Sequence, residues 1–165
     1  MNLKNLVYAA LLTALAIVIP ISFGVLAVTV GPFSATLASH VPMFLAMFLG
    51  PVPAAMVGIG SAIGFLITKG AVVASRAFMH TFVGMFGAYL LKKGASYSKV
   101  VAITAPIHGI LEALVVIPFG FTMEKILIAV GIGTILHHVV DGVIAFSVVK
   151  ILSKAGNFSS VKATH

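Results

Sequence analysis

The sequence predicts an all-α integral membrane protein, a bundle of six transmembrane helices with both termini inside the cell. Of its 165 residues, 61% are hydrophobic and only 8% are charged, and the mean hydropathy is +1.22. A typical soluble domain is about 45–50% apolar and about 25% charged. Because this chain has too few polar groups for a soluble surface and no cysteine, the composition excludes a soluble globule, a disordered chain and a disulfide-stapled secreted domain.

Six apolar segments define the predicted helices, because a spanning helix needs about 20 mostly apolar residues. Glycine, proline and lysine separate the segments. In order, they cover roughly 5–20, 36–49, 53–68, 72–91, 99–119 and 126–150, and they make one membrane domain over residues 1–165. We expect the short second helix to be tilted or partly embedded, and the polar tail from roughly 153 to 165 to be flexible.

The lysines predict the orientation of the bundle. With the N-terminus inside, the cytoplasmic side holds Lys4, Lys92, Lys93, Lys99, Lys150, Lys154 and Lys162. Lys69 and Lys125 then lie outside. Because cytoplasmic loops carry the excess of positive charge, both termini should be cytoplasmic. These lysines sit at segment ends without interleaved aromatic residues, so the net charge of +7 does not indicate nucleic-acid binding.

Ionisable side chains inside spanning helices are costly, and they mark functional sites. Three of the predicted helices carry a pair of such residues four positions apart, which places both members on one helix face. The pairs are Arg76 with His80, His108 with Glu112, and His137 with Asp141, and His40 begins the second helix. All three pairs fall in one layer between the membrane centre and its outer surface. We therefore predict that these seven residues form a substrate-binding pocket open to the outside.

Other chemistry fits these residues less well. Each pair could instead satisfy itself as a bundle contact, worth about 0.6 kcal/mol. His137, His138 and Asp141 are a candidate metal set, but the chain has no His-Glu-x-x-His motif. Ser39-His40 and Ser75-Arg76 are weak candidates for a nucleophile with its base. The sequence thus predicts a binding pocket that is not enzymatic and has neither cofactor nor metal.

The first predicted helix presents a face of small residues. Ala10 and Ala14 form a small-x-x-x-small pair, which allows another helix to approach closely. Because this helix carries no charged side chain between residues 5 and 20, we expect its small face to be free for a partner protein.

Together these features resemble the S-component, the membrane substrate-binding subunit, of energy-coupling factor (ECF) vitamin transporters. The resemblance covers nearly the whole chain. It rests on six short helices, on Ala10-x-x-x-Ala14, on the long apolar first loop over Ser22–Ala35, and on a pocket formed by helices four to six. The stretch Thr36–Pro42, followed by Met43–Pro51, is also similar to members of this family.

The resemblance implies that the protein captures a water-soluble vitamin or precursor outside the cell, in the bacterial plasma membrane. It would then dock on a transmembrane coupling subunit that carries two ATPases, and release its ligand inside by toppling. By the same resemblance, the face of Ala10 and Ala14 contacts the coupling subunit, and Ser22–Ala35 is the lid. The chain has no Walker A motif, so the ATPases must be other chains.

The charges of the pocket restrict the vitamin. With neutral histidines, the predicted set carries one positive and two negative charges, which suits a neutral or weakly basic heteroaromatic such as hydroxymethylpyrimidine or pyridoxine. Pantothenate and niacin are alternatives, because each has one carboxylate for the forked donors of Arg76. A stand-alone ion-coupled or metal-ion membrane carrier is the alternative from another mechanistic class.

Overall fold

The structure is a computed structural model that describes residues 2–154. This part of the chain contains six α-helices and one β-hairpin. The helices are α1 (Leu3–Ser22), α2 (Val41–Met47), α3 (Pro51–Lys69), α4 (Ala71–Lys92), α5 (Tyr97–Val115) and α6 (Gly133–Lys154). The hairpin consists of β1 (Ala27–Val30) and β2 (Phe33–Thr36), and a π-helical stretch, Lys125–Ile132, leads into α6. Of the predicted flexible tail, residues 153 and 154 belong to α6, and residues 155–165 lie outside the described residues.

Five segments of the described chain are long and apolar enough to cross a membrane. They are Leu3–Ser22, Pro51–Lys69, Ala71–Lys92, Tyr97–Phe119 and Lys125–Lys154. Large apolar side chains on these spans face outward, for example Leu11, Ile67 and Leu136, each more than 60% exposed. Charged and polar side chains are instead buried between the helices. This inverted arrangement fits a bilayer as solvent, and it confirms an all-α membrane protein.

The second predicted helix is much shorter than residues 36–49. Ala38 adopts a left-handed φ of 66°, which keeps the chain out of helix before Val41, and Gly50 with φ 122° ends the segment. At 1.5 Å per residue, the seven residues of α2 cannot cross a hydrocarbon layer of about 30 Å. Every residue of α2 is buried, and the helix packs against α1, α3, α4 and α6. It is a core helix, so a count of six spanning helices is not confirmed.

Glycines allow α3 to approach its two neighbours. A Cβ on Gly64 would lie 2.7 Å from the carbonyl oxygen of Ile17 in α1, and one on Gly58 would collide with the backbone of Thr81 in α4. These positions therefore accept only glycine at the observed helix separation. The close contact of α3 with α4 brings Ser61 within hydrogen-bonding distance of His80.

The hairpin occupies most of the stretch that the sequence suggested as a lid. Its strands pair antiparallel, with Ala27 opposite Thr36 and Val30 opposite Phe33. Gly31 at the turn has a positive φ of 57°, which favours glycine. The ring of Phe33 rests on Gly133 at the start of α6, where a Cβ would come within 2.9 Å of it. This packing holds the hairpin over the ends of α4, α5 and α6.

Candidate functional site

Glu112 of α5 lies at the centre of the buried polar residues. Its Oε2 accepts hydrogen bonds from Nε and Nη2 of Arg76, at 2.8 and 2.7 Å, and another from the hydroxyl of Thr134. Its Oε1 lies 3.2 Å from Nε2 of His108 and 3.8 Å from Nε2 of His80. The carboxylate of Glu112 thus joins α4, α5 and α6. Its Oε2 contacts the charged Arg76, whereas its Oε1 faces the imidazoles of His80 and His108.

Arg76 also binds the hairpin. Its Nη1 donates to the carbonyl oxygen of Pro32 at 3.0 Å, and its Nη2 donates to that of Ser34 at 3.4 Å. The guanidinium lies 5.2 Å from the ring centre of Phe33, a cation–π contact. Arg76 is therefore the point at which the hairpin is attached to the site.

Asp141 of α6 forms the second centre. Its two oxygens accept the backbone N–H groups of Ala38 and His40, both at 2.9 Å. Nε2 of His137 and Nδ1 of His40 lie 3.1 and 3.3 Å from its Oδ2. The left-handed backbone at Ala38 accompanies this arrangement, in which one carboxylate holds the turn between the hairpin and α2.

The histidines form one cluster between the two carboxylates. The ring centre of His40 lies 4.3–4.9 Å from those of His80, His108 and His137. Nδ1 of His108 lies 2.9 Å from Nδ1 of His138, and the opposite nitrogen of His138 lies 2.9 Å from the hydroxyl of Thr104. So many close imidazoles cannot all be protonated, because their charges would repel one another in a site of low dielectric.

A small cavity opens beside this cluster. Five of the seven predicted binding residues line it: His40, Arg76, His80, Glu112 and His137. The other two, His108 and Asp141, are buried behind its wall, where they contact Glu112 and His40. The structure therefore brings all seven predicted residues into one site, although their role in binding stays a prediction.

The three residues that the sequence analysis weighed as a candidate metal set, His137, His138 and Asp141, do not form one of the groups of close ligand atoms among the described residues. His138 contacts His108 and Thr104, whereas His137 contacts Asp141. Two other groups have ligand atoms within 4.8 Å of one another, although the sequence predicted no metal. One is His40, His80, His108 and Glu112, and the other is His40, His137 and Asp141.

Several site residues escaped the sequence analysis. Thr134 precedes His138 by four positions and Asp141 by seven, so its place on the inner face of α6 was readable from helical spacing. Ser61 lies among the glycines of α3, a pattern that indicates close helix packing and does not mark a site. The carbonyl groups of Pro32 and Ser34 had no readable signal, because every residue carries a carbonyl group.

The predicted partner face is uncovered in the described chain. Ala10 and Ala14 are exposed, while Ala9 and Ala16 are buried. Thr13 and Ile17 turn toward Gly60 and Gly64 of α3. The side of α1 that carries Ala10 and Ala14 is therefore not used by the packing of α1 on α3.

Comparison with known proteins gives one strong similarity. The chain is 37% identical to the niacin transporter NiaX of Lactococcus lactis subsp. cremoris (strain MG1363), over an alignment of 171 positions covering 93% of this chain and 77% of the relative. No family model and no solved structure matches the chain. With its apolar spans, this likeness identifies a multi-pass transport protein of the cell membrane. The chain belongs to the family of that transporter, among the S-components of ECF vitamin transporters.

Proposed function

We propose that the protein is the substrate-capture subunit of an ATP-driven ECF importer for a pyridine monocarboxylate of the niacin type. The observation that carries this proposal is the position of Arg76. Arg76 is only 3% exposed, and its guanidinium lies in the cavity wall and donates to two hairpin carbonyls. The similarity to a niacin transporter supports the same ligand class.

The hairpin carbonyls occupy the positions that a ligand carboxylate would take. The carbonyl groups of Pro32 and Ser34 are neutral acceptors, 3.0 and 3.4 Å from the two Nη atoms of Arg76. A carboxylate accepts charge-assisted bonds that are about twice as strong as neutral ones, and it matches the guanidinium fork. In our proposal the hairpin lifts, the vitamin carboxylate replaces the two carbonyls, and Glu112 keeps the guanidinium in place.

The pyridine ring would lie against imidazoles. The chain has no tryptophan, and His40, His80 and His137 line the cavity beside Arg76. Imidazole nitrogens can donate to the ring nitrogen of the ligand. Hydroxymethylpyrimidine and pyridoxine, our first expectation from charge, have no carboxylate for Arg76. Niacin therefore takes first place in this proposal, and pantothenate follows as another monocarboxylate.

Transport requires partners in this proposal. In this proposal both termini lie inside the cell and the pocket faces the outside, and the exposed face of Ala10 and Ala14 is available to a coupling subunit. ATP hydrolysis is assigned to two ATPase subunits, since the sequence contains no Walker A motif.

Isothermal titration of the purified protein tests the ligand. We expect nicotinate to bind and nicotinamide, which lacks the negative charge, to bind about 10–100-fold more weakly, because a charge-assisted hydrogen bond is worth about 1.5–3 kcal/mol. Arg76→Gln should remove this discrimination, whereas Lys69→Gln, a loss of charge at the end of α3, should retain it. Tight binding of pyridoxine or hydroxymethylpyrimidine without nicotinate binding would contradict the proposal.

Reconstitution tests the mechanistic class. Vesicles with this chain alone should bind nicotinate without accumulating it, and accumulation should require the coupling subunit, the ATPases and ATP. Accumulation by the chain alone under a proton or sodium gradient would instead establish an ion-coupled carrier.

A further inference from the structure

The two oxygens of Glu112 have different surroundings. Oε2 accepts three hydrogen bonds, two from Arg76 and one from Thr134. Oε1 faces the Nε2 atoms of His108 and His80, at 3.2 and 3.8 Å. The side of the carboxylate that carries Oε1 is therefore directed at imidazole nitrogens and away from the guanidinium.

If Thr104 keeps its hydrogen bond to the backbone, the proton positions on the two neighbouring imidazoles follow from it in order. The hydroxyl of Thr104 donates to the carbonyl oxygen of Val100 at 2.7 Å, so it accepts from Nε2 of His138. Neutral His138 then has an unprotonated Nδ1, which accepts from Nδ1 of His108. Neutral His108 is left with an unprotonated Nε2 that faces Oε1 of Glu112. Two acceptors in contact repel each other unless a cation or an added proton lies with them.

A missing hydrogen bond marks the same place. Among the described residues, Nε2 of His108 is a buried side-chain nitrogen without a hydrogen-bond partner, and it faces Glu112. The other such nitrogen, Nδ1 of His40, lies 3.3 Å from Oδ2 of Asp141 and does not mark this site. His80 has its Nδ1 held by the hydroxyl of Ser61 at 3.1 Å and turns its Nε2 toward Glu112. An outer partner on one ring nitrogen, with the other nitrogen directed inward, is the usual arrangement of a metal-binding histidine.

We propose that His40, His80, His108 and Glu112 bind a divalent first-row transition metal ion. All four side chains are buried, and their ligand atoms lie within 4.8 Å of one another. A tetrahedral zinc ion at about 2.0–2.1 Å from each ligand needs them about 3.3 Å apart, so small side-chain movements suffice. Three imidazoles and one carboxylate, with no thiolate, suit Zn²⁺, Ni²⁺ or Co²⁺.

Charge balance supports a cation at this position. With neutral imidazoles, Arg76, Glu112 and Asp141 sum to one negative charge in a buried site. A divalent ion changes this sum to one positive charge, which would then favour a monocarboxylate. The rival group of His40, His137 and Asp141 is a poorer metal site, because Asp141 already accepts two backbone N–H groups.

Zinc binding to the purified, tag-free full chain tests this site without reference to any vitamin. After chelator treatment, we expect one Zn²⁺ per chain by isothermal titration and by elemental analysis. Co²⁺ should give the intense visible absorption of a tetrahedral complex. His108→Gln should lower the affinity by more than the 10–100-fold typical of an outer-shell partner, whereas Ser61→Ala should lower it by about that amount.

His137→Ala is the matched control, because His137 belongs only to the rival group. We expect the zinc affinity of this variant to stay within about 3-fold of the parent protein's. Each variant is compared only after its thermal unfolding matches that of the parent protein, and the Co²⁺ spectrum provides a second measure on the unmodified chain. Absence of stoichiometric zinc binding would overturn the proposal. So would loss of zinc binding in His137→Ala together with unchanged zinc binding in His108→Gln. Because Arg76, which carries the nicotinate proposal, is not one of the metal ligands, either result would overturn the metal site and leave nicotinate binding to be tested by its own titration.

Discussion

The guanidinium of Arg76 on α4 donates two hydrogen bonds to one oxygen of Glu112 on α5, at 2.8 and 2.7 Å, and both residues are only 3% exposed. This contact ties two spanning helices together deep in the bundle. It also leaves Nη1 of Arg76 directed at the hairpin and Oε1 of Glu112 directed at the histidines. This ion pair therefore orients Arg76 toward the hairpin and Glu112 toward the histidine cluster.

Removal of the carboxylate charge should destabilise the bundle. Glu112→Gln leaves the guanidinium of Arg76 buried without its counter-charge, and breaking a buried pair in this way costs about 3–5 kcal/mol in soluble proteins. We expect a clearly lower melting temperature in detergent. Glu124→Gln, at an exposed position, should change stability by less than about 0.5 kcal/mol. Equal melting temperatures for both variants would show that the ion pair is not needed for folding.

The packing of α1 on α3 should tolerate no side chain at Gly64. A Cβ there would lie 2.7 Å from the carbonyl oxygen of Ile17 and 2.9 Å from its Cα, so Gly64→Ala must separate the helices. We expect a loss of about 1–3 kcal/mol in the free energy of unfolding. Gly24→Ala is the matched control, because nothing lies within 4 Å of its Cβ. A neutral effect at both positions would contradict the observed helix separation.

The hairpin should control how fast the ligand leaves. Phe33 rests on Gly133 and on the guanidinium of Arg76, so Phe33→Ala loosens the closed hairpin. We expect radiolabelled nicotinate to dissociate about 10-fold faster, since residence time is the usual target of such changes. Phe82→Ala, half-exposed on α4, is the control. An unchanged dissociation rate in Phe33→Ala would remove the hairpin from the gating step.

The face of Ala10 and Ala14 should matter for transport and not for binding. Replacing either residue by leucine adds bulk to an exposed helix surface, which should prevent close approach of a partner helix. We expect nicotinate affinity to stay within about 2-fold and uptake by the complete transporter to fall by more than 10-fold. Ala102→Leu, on an exposed position of α5, should affect neither quantity. Lost binding in the Ala10 or Ala14 variants would make this face part of the internal packing.

Local patterns were sufficient for much of the site. The pairs Arg76–His80, His108–Glu112 and His137–Asp141 were found by their spacing of four, and the structure places all of them in one cluster. In one pair, however, the important partner is not the neighbour on the same helix, because Arg76 bonds to Glu112. Spacing identifies a shared face, but the choice of partner depends on the distance between helices.

Hydropathy and helical periodicity are local properties of the chain, so they were enough to predict the membrane class, the polar face of three helices and the small face of α1. The packing of the helices was needed to show that α2 is a short core helix, that His138 turns to His108 while His137 turns to Asp141, and that the hairpin carbonyls bind Arg76. These contacts depend on the glycine-permitted approach of α1, α3 and α4 and on backbone groups that every residue carries. For that reason no side-chain pattern predicts them.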